Sequence, residues 1–176
     1  MSTLQTQLQM VLMGGRVTRF HTRPTLKAES VAEHSYLVAW LATLITGSPS
    51  ATLLLACLAH DLPEHTLGDM PSPAKKRLGL REAFRREEGL MFSAAGMPDY
   101  EASLTPMEAE VLSFCDNLAG YLKCVYERQM GNLFLENSAS RYHEYLMDIL
   151  GTAKYLDVPV CKNLLSFIDR IHNDCK

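Results

Sequence analysis

Residues 53–62 are apolar almost without interruption, as in a helix buried on all sides, yet the run carries an adjacent ionisable pair, His60-Asp61, near its end. Ionisable groups at the buried end of a helix are costly unless a metal ion or a charged partner compensates them. Alone the dipeptide is a weak signal, because a helix-end carboxylate beside a hydrogen-bonded histidine has the same sequence. Two further residues change the weighting. His34 falls near the start of one apolar helix, and Asp116 lies inside another, in SFCDNLAGYL, where a carboxylate between Phe114 and Leu118 has little reason to face water. Together they form a set of two imidazoles and two carboxylates. Such ligands suit one divalent ion, Mn²⁺, Co²⁺, Fe²⁺ or Zn²⁺, with Mg²⁺ admissible, and the absence of thiolates argues against a structural zinc.

The elements that must position these residues read as helices throughout, with no sustained strand-like alternation, so the expected fold class is all-α. Residues 3–13 form a first helix, in which Leu4, Leu8, Val11 and Leu12 share a face before Gly14-Gly15 stops it. Residues 16–27, with Pro24, read as an extended connection carrying Arg19, Phe20, His21 and Arg23. Ser30 and Glu33 make a capping-box pattern for a second helix that puts His34 in its first turn and runs through Tyr36, Val38, Trp40 and Leu44 to Gly47. Ser50 caps the third. The stretch LPEHTLGDMPSPAKK reads as an ordered functional loop, broken by its prolines and glycine. A charged helix over 81–96, a long one from Thr105 or Pro106 to about 130, and two more over 138–156 and 159–173 complete one bundle, expected to be a single domain over 1–176.

A chain of 176 residues with 47% hydrophobic composition is long enough for a sizeable core. Its 17 basic and 20 acidic residues, net −3, disfavour a nucleic-acid polymer or an anionic membrane as partner. Neither a leader-like N-terminus nor a membrane-length apolar span is seen, so an intracellular protein is expected. Cys57, Cys115, Cys124, Cys161 and Cys175 are odd in number and widely spaced; the first three read as small buried apolar residues.

The order H…HD…D, with SVAEHSYLVA around His34, AHDLPEHTLGDMPSPAKK around His60-Asp61 and DNLAGYLKCVYE from Asp116, resembles the HD-domain phosphohydrolases. More closely, it resembles the branch of bacterial 5′-deoxynucleotidases and phage dATP triphosphohydrolases. The resemblance implies a helical bundle in which His34, His60, Asp61 and Asp116 bind the metal, with Glu64 and Asp69 assisting catalysis. It implies that Arg19 contacts phosphate, where its fork of donors fits better than an ammonium. In those deoxynucleotidases a tryptophan packs on the sugar beside that arginine. Here the neighbour is Phe20, which leaves the sugar contact open. A homo-oligomer is also implied, consistent with apolar C-terminal helices that one small bundle covers incompletely, and so is a cytoplasmic setting, that of the host if the chain is phage-encoded.

Glu64 lies one helical turn beyond Asp61, so its carboxylate returns to the metal side if the helix continues. The plainer readings are a solvated Glu64 and an Asp69 that caps a turn. Lys75 and Lys76 lie where the outer phosphates of a triphosphate would need cations, or else form a solvated cluster with Arg77. The expected reaction is attack of water on the α-phosphorus of a deoxynucleotide. A short chain with paired lysines favours a dNTP triphosphohydrolase releasing deoxynucleoside and triphosphate, while the EHS and KCVYE blocks equally suit a 5′-deoxynucleotidase acting on dNMPs. A nucleotide-sensing module is a further alternative, disfavoured by the presence of Glu64 with every ligand.

Overall fold

Two capping boxes set the starts of the helices that carry His34 and Asp116. At α2, Val31–Thr46, the Ser30 hydroxyl accepts the Glu33 N–H and the Glu33 carboxylate accepts the Ser30 N–H in return. At α7, Pro106–Gln129, Thr105 and Glu108 repeat the exchange with Pro106 at the first helical position. Each box satisfies amides that would otherwise lack a partner at the helix start. The computed structural model describes residues 3–173, and Cys175 lies outside them.

In chain order the elements are α1 (Thr3–Gly14), the two-residue strands β1 (Thr18–Arg19) and β2 (Glu29–Ser30), α2, α3 (Ala51–Ala59), α4 (Glu64–Leu67), α5 (Ser72–Arg77) and α6 (Arg81–Ala95), then a 3₁₀ turn (Glu101–Ser103), α7, α8 (Glu136–Thr152) and α9 (Val158–Asn173). The all-α expectation holds. Helix α7 runs through the centre, packed by α2, α3, α8 and α9. Its Phe114 and Leu118 meet Val38, Leu53, Leu146 and Ile168 in the main core. Each such side chain, fully buried, contributes roughly 1.5–3 kcal/mol. Cys57, Cys115, Cys124 and Cys161 are buried and unpaired, as small apolar residues.

A smaller core joins Met10 of α1 to Ala59, Leu62, Phe92 and Ala95, and so covers the end of α3. There Gly14 makes a close approach: a Cβ on it would stand 2.6 Å from the Leu62 carbonyl oxygen. Helix α1 is thereby seated on the turn that follows His60-Asp61.

Three features differ from the sequence reading. The loop after Asp61 contains α4, begun by Pro63 at φ −62° and ended by Gly68 at φ 78°, and then α5. Such single turns are too short for periodicity to reveal. The extended connection pairs back on itself, Thr18 opposite Ser30 and Arg19 opposite Glu29. The shared apolar face of α1 points outward, with Leu4 73% exposed, as do Tyr36, Trp40 and Leu44 of α2. Periodicity identifies a face but not its direction. No helix among the described residues is long and apolar enough to cross a membrane.

Candidate metal centre and phosphate pocket

Packing of α2 and α3 on α7 gathers three of the four expected ligands, His34, His60 and Asp116, and sets Asp61 beside the two imidazoles. His34 Nε2 lies 3.0 Å from Asp116 Oδ1 and 3.8 Å from Asp61 Oδ2. His60 Nε2 lies 3.4 Å from Asp61 Oδ2 and 3.8 Å from Asp116 Oδ1. The donor atoms of His34, His60 and Asp116 all fall within 4.8 Å of one another, a spacing that one ion can bridge. His34 is fully buried, whereas the Asp116 side chain is 40% exposed and marks the open side of the site.

The fit to a cation is visible in the polar atoms. With Nδ1 donating to the Cys57 carbonyl oxygen at 2.9 Å, the His60 ring turns Nε2 toward the site, where loss of its proton would expose the lone pair that a metal takes. That Nε2 is buried and has no hydrogen-bond partner among the described residues. Burial alone would lower the His60 pKa, but the charges of Asp61 and Asp116 push it up to about 10. The pocket therefore draws positive charge to the atom that would ligate a metal.

Arg19, brought in by β1, donates from Nη1 to Asp61 Oδ2 and holds Nε 3.4 Å from Glu29 Oε2. Burial opposes its charge, yet Asp61 and Asp116 more than offset that and raise its pKa. Phe20 follows at φ 55°, a backbone region costly for a bulky residue, and its N–H donates to Asp69 Oδ2 at 3.2 Å. His21 Nδ1 stands 3.4 Å from the same oxygen. Asp69 thus grips the start of the segment that follows Arg19.

Glu64 is 7% exposed, and its Oε2 has no hydrogen-bond partner among the described residues. The chain reaches it through tight turns rather than a continued α3, the Glu64 N–H donating to the Asp61 carbonyl oxygen at 3.1 Å. Burial, then the charges of Asp61 and Asp69, push its pKa up to about 9. The two lysines diverge. Lys75 Nζ lies 4.0 Å from Glu88 and 4.8 Å over the Phe84 ring, both on α6, while Lys76 is exposed.

Several neighbours escaped the sequence reading. Glu88 and Glu101 are pushed up by burial and feel the His60 charge. Tyr142 of α8 stands against Phe20, with ring centroids 6.3 Å apart. Its phenol lies over Gly120, one turn beyond Asp116, where an added Cβ would meet Tyr142 Cζ at 2.5 Å. A glycine inside a long helix was the available signal for that close approach. Gly120→Ala is expected to overpack this contact and lower stability by about 1–3 kcal/mol, read from the midpoint of a urea transition.

A helical bundle that gathers two imidazoles and a carboxylate, with a second carboxylate beside the imidazoles carrying a buried arginine, has the layout of a metal-dependent HD phosphohydrolase. The same fold is seen in the cyanophage S-2L HD phosphohydrolase DatZ, solved bound to dA and one catalytic Zn²⁺ ion, at a TM-score of 0.73 and 23% identity over 94% of this chain and 96% of that one. This chain belongs to the YfbR-like 5′-deoxynucleotidase family, whose model matches residues 8–156. It is 30% identical over 149 residues to a dATP triphosphohydrolase of Salmonella phage PMBT28, across 74% of this chain and 73% of the relative. To the dATP triphosphohydrolase of cyanophage S-2L it is 27% identical, across 84% of this chain and 90% of the relative.

Proposed function

We propose that this chain is a dNTP triphosphohydrolase, with dATP the foremost substrate, that releases deoxynucleoside and intact triphosphate. The observation that carries the reading is the Arg19–Asp61 pair beside the His34, His60 and Asp116 group, with Glu64 buried in the turn just after Asp61, in a chain similar along most of its length to dATP triphosphohydrolases. In this reading His34, His60, Asp61 and Asp116 hold the ion. Mixed imidazole and carboxylate donors suit Zn²⁺, Co²⁺, Mn²⁺ or Fe²⁺ better than Mg²⁺. When bound, a divalent ion supplies charge that neutralises phosphoryl oxygens and acidifies water.

The chain's own groups do the rest. Glu64, whose carboxyl burial keeps protonated on its own, would be ionised by the charge of a bound cation; its carboxylate then orients the attacking water and takes its proton as the water oxygen bonds to the α-phosphorus and the bond to the 5′-oxygen breaks, and that proton passes to the departing 5′-oxygen. Arg19 presents its guanidinium to the α-phosphate, fixed in place by Asp61 and Glu29. Asp69 contributes by holding Phe20, whose ring with Tyr142 forms an aromatic wall suited to the sugar. Lys75, partly enclosed by α6, serves the outer phosphates in preference to Lys76. A homo-oligomer belongs to this reading, supported by the exposed Tyr36, Trp40 and Leu44 on one face of α2 and by Val160 and Phe167 on α9. So does a cytosolic setting.

The alternative is a 5′-deoxynucleotidase, favoured by the family description and by the pairing of Lys75 with Glu88 while Lys76 is exposed. Incubation with dATP, the other dNTPs and dAMP, each with Mn²⁺, Co²⁺, Mg²⁺ or Zn²⁺, separates the two by chromatography of the products. The expected products are deoxyadenosine and triphosphate from dATP. Preferential conversion of dAMP to deoxyadenosine and phosphate replaces this reading with the alternative.

A further inference from the structure

Arg19 is separated from its strand partner Glu29 by residues 20–28, and the return limb of that loop is tied down by a buried group that the mechanism does not use. Glu127, near the end of α7, is 0% exposed. Its Oε2 accepts the Leu26 N–H at 2.8 Å and Asn132 Nδ2 at 2.6 Å; its Oε1 accepts the Lys27 N–H at 3.1 Å and Lys123 Nζ at 2.7 Å. Lys123 also donates to the Lys27 carbonyl oxygen, and Asn132 to that of Pro24 at 2.9 Å. A buried ion pair repays its desolvation only when the remaining lone pairs and protons are satisfied. Here the backbone of residues 24–27 satisfies them.

The consequence runs along the chain. Just past Lys27 the backbone enters β2, where Glu29 faces Arg19 across the antiparallel pair and holds its carboxylate 3.4 Å from Nε. Fixing residues 24–27 therefore fixes Glu29, and Glu29 with Asp61 fixes the guanidinium. None of the Glu127 bonds reaches a metal-site residue.

We propose that Glu127, with Lys123 and Asn132, is a positioning residue for Arg19, acting through the return limb of the 20–28 loop. This rests on the reading of Arg19 as the phosphate contact. Displacing a catalytic contact by about 1 Å costs up to roughly 10²-fold in rate, so a loss of about tenfold in kcat/KM is expected when the anchor is weakened.

Glu127→Gln keeps the shape but confronts donors with an amide N–H₂ and leaves Lys123 without its counter-charge. Asn132→Ala is the milder companion, since it removes one anchor of Pro24 and leaves the ion pair intact. Each is made alone and with Arg19→Ala, and kcat/KM is measured on the preferred substrate of the panel, dATP or dAMP, beside bound Zn²⁺ and amide exchange at residues 20–28. The expected result is about a tenfold loss in the Arg19 background, faster exchange at Leu26 and Lys27, unchanged metal content, and no further loss once Arg19 is alanine. An equal loss in both backgrounds, a loss of metal, or unaltered kinetics with the loop loosened overturns the proposal. If Glu127→Gln does not fold, Asn132→Ala decides by the same criteria. Should Arg19→Ala alone leave kcat/KM unchanged, the assignment of Arg19 itself fails, a result separate from additivity, and the positioning role falls with it.

Discussion

Asp61→Ala is expected to abolish hydrolysis and to strip the chain of bound metal, and His60→Ala to do the same. Asp61 Oδ2 sits 3.4 Å from His60 Nε2 and 3.8 Å from His34 Nε2, so its removal takes an anionic donor from the point where the imidazoles converge. It also takes the hydrogen-bonding anion from Arg19, whose side chain is 10% exposed. Breaking a buried pair costs about 3–5 kcal/mol when the charge is left alone, and less here because Glu29 stays beside Arg19, so a lower thermal midpoint should accompany the loss of activity. Asp61→Asn separates the two effects, because it keeps the shape while lowering the charge. Metal content by elemental analysis after dialysis, set beside turnover, is the measurement. An alanine variant that keeps stoichiometric metal and normal turnover would refute the ligand assignment.

The second large effect belongs to Glu64. Glu64→Gln is nearly isosteric and leaves His34, His60, Asp61 and Asp116 in place, so metal content and substrate affinity should persist while kcat falls by roughly 10²–10⁴-fold, the span for lost acid–base assistance. Single-turnover measurements with the variant locate the loss in the chemical step. If kcat is unchanged, Glu64 is a buried spectator. If metal is lost instead, the carboxylate is a ligand and another group must handle water.

What could be read from the chain follows from where charge is out of place. Asp116 between Phe114 and Leu118, and His60-Asp61 at the end of an apolar run, are anomalies in a helical pattern, and the structure gathers His34, His60 and Asp116 with Asp61 beside the two imidazoles. The capping residues Ser30 and Thr105 were equally legible, because their chemistry is local. Glu127 was not. Its spacing from Lys123 is that of an ordinary surface ion pair, and only the fold of residues 24–27 over it makes the pair buried. Glu29 and Tyr142 were invisible for the same reason, since their partners Arg19 and Gly120 come from other elements. The outward direction of the α1 and α2 apolar faces likewise depends on which side the bundle occupies, a tertiary fact.

The carboxylate of Asp61 answers to two cations. The oxygen that faces the imidazoles is the one to which Arg19 donates, so with Asp61 as a ligand the guanidinium and a bound ion would share a single anionic atom. A substrate phosphate that drew the guanidinium toward itself would leave that oxygen with more electron density for the ion. Phosphate and metal would then be thermodynamically linked through one atom, and reciprocity would require each to change the affinity of the other by the same factor. With Arg19 as the phosphate contact, the resting enzyme would keep that cation neutralised by an internal anion, and substrate capture would be an exchange of counterions.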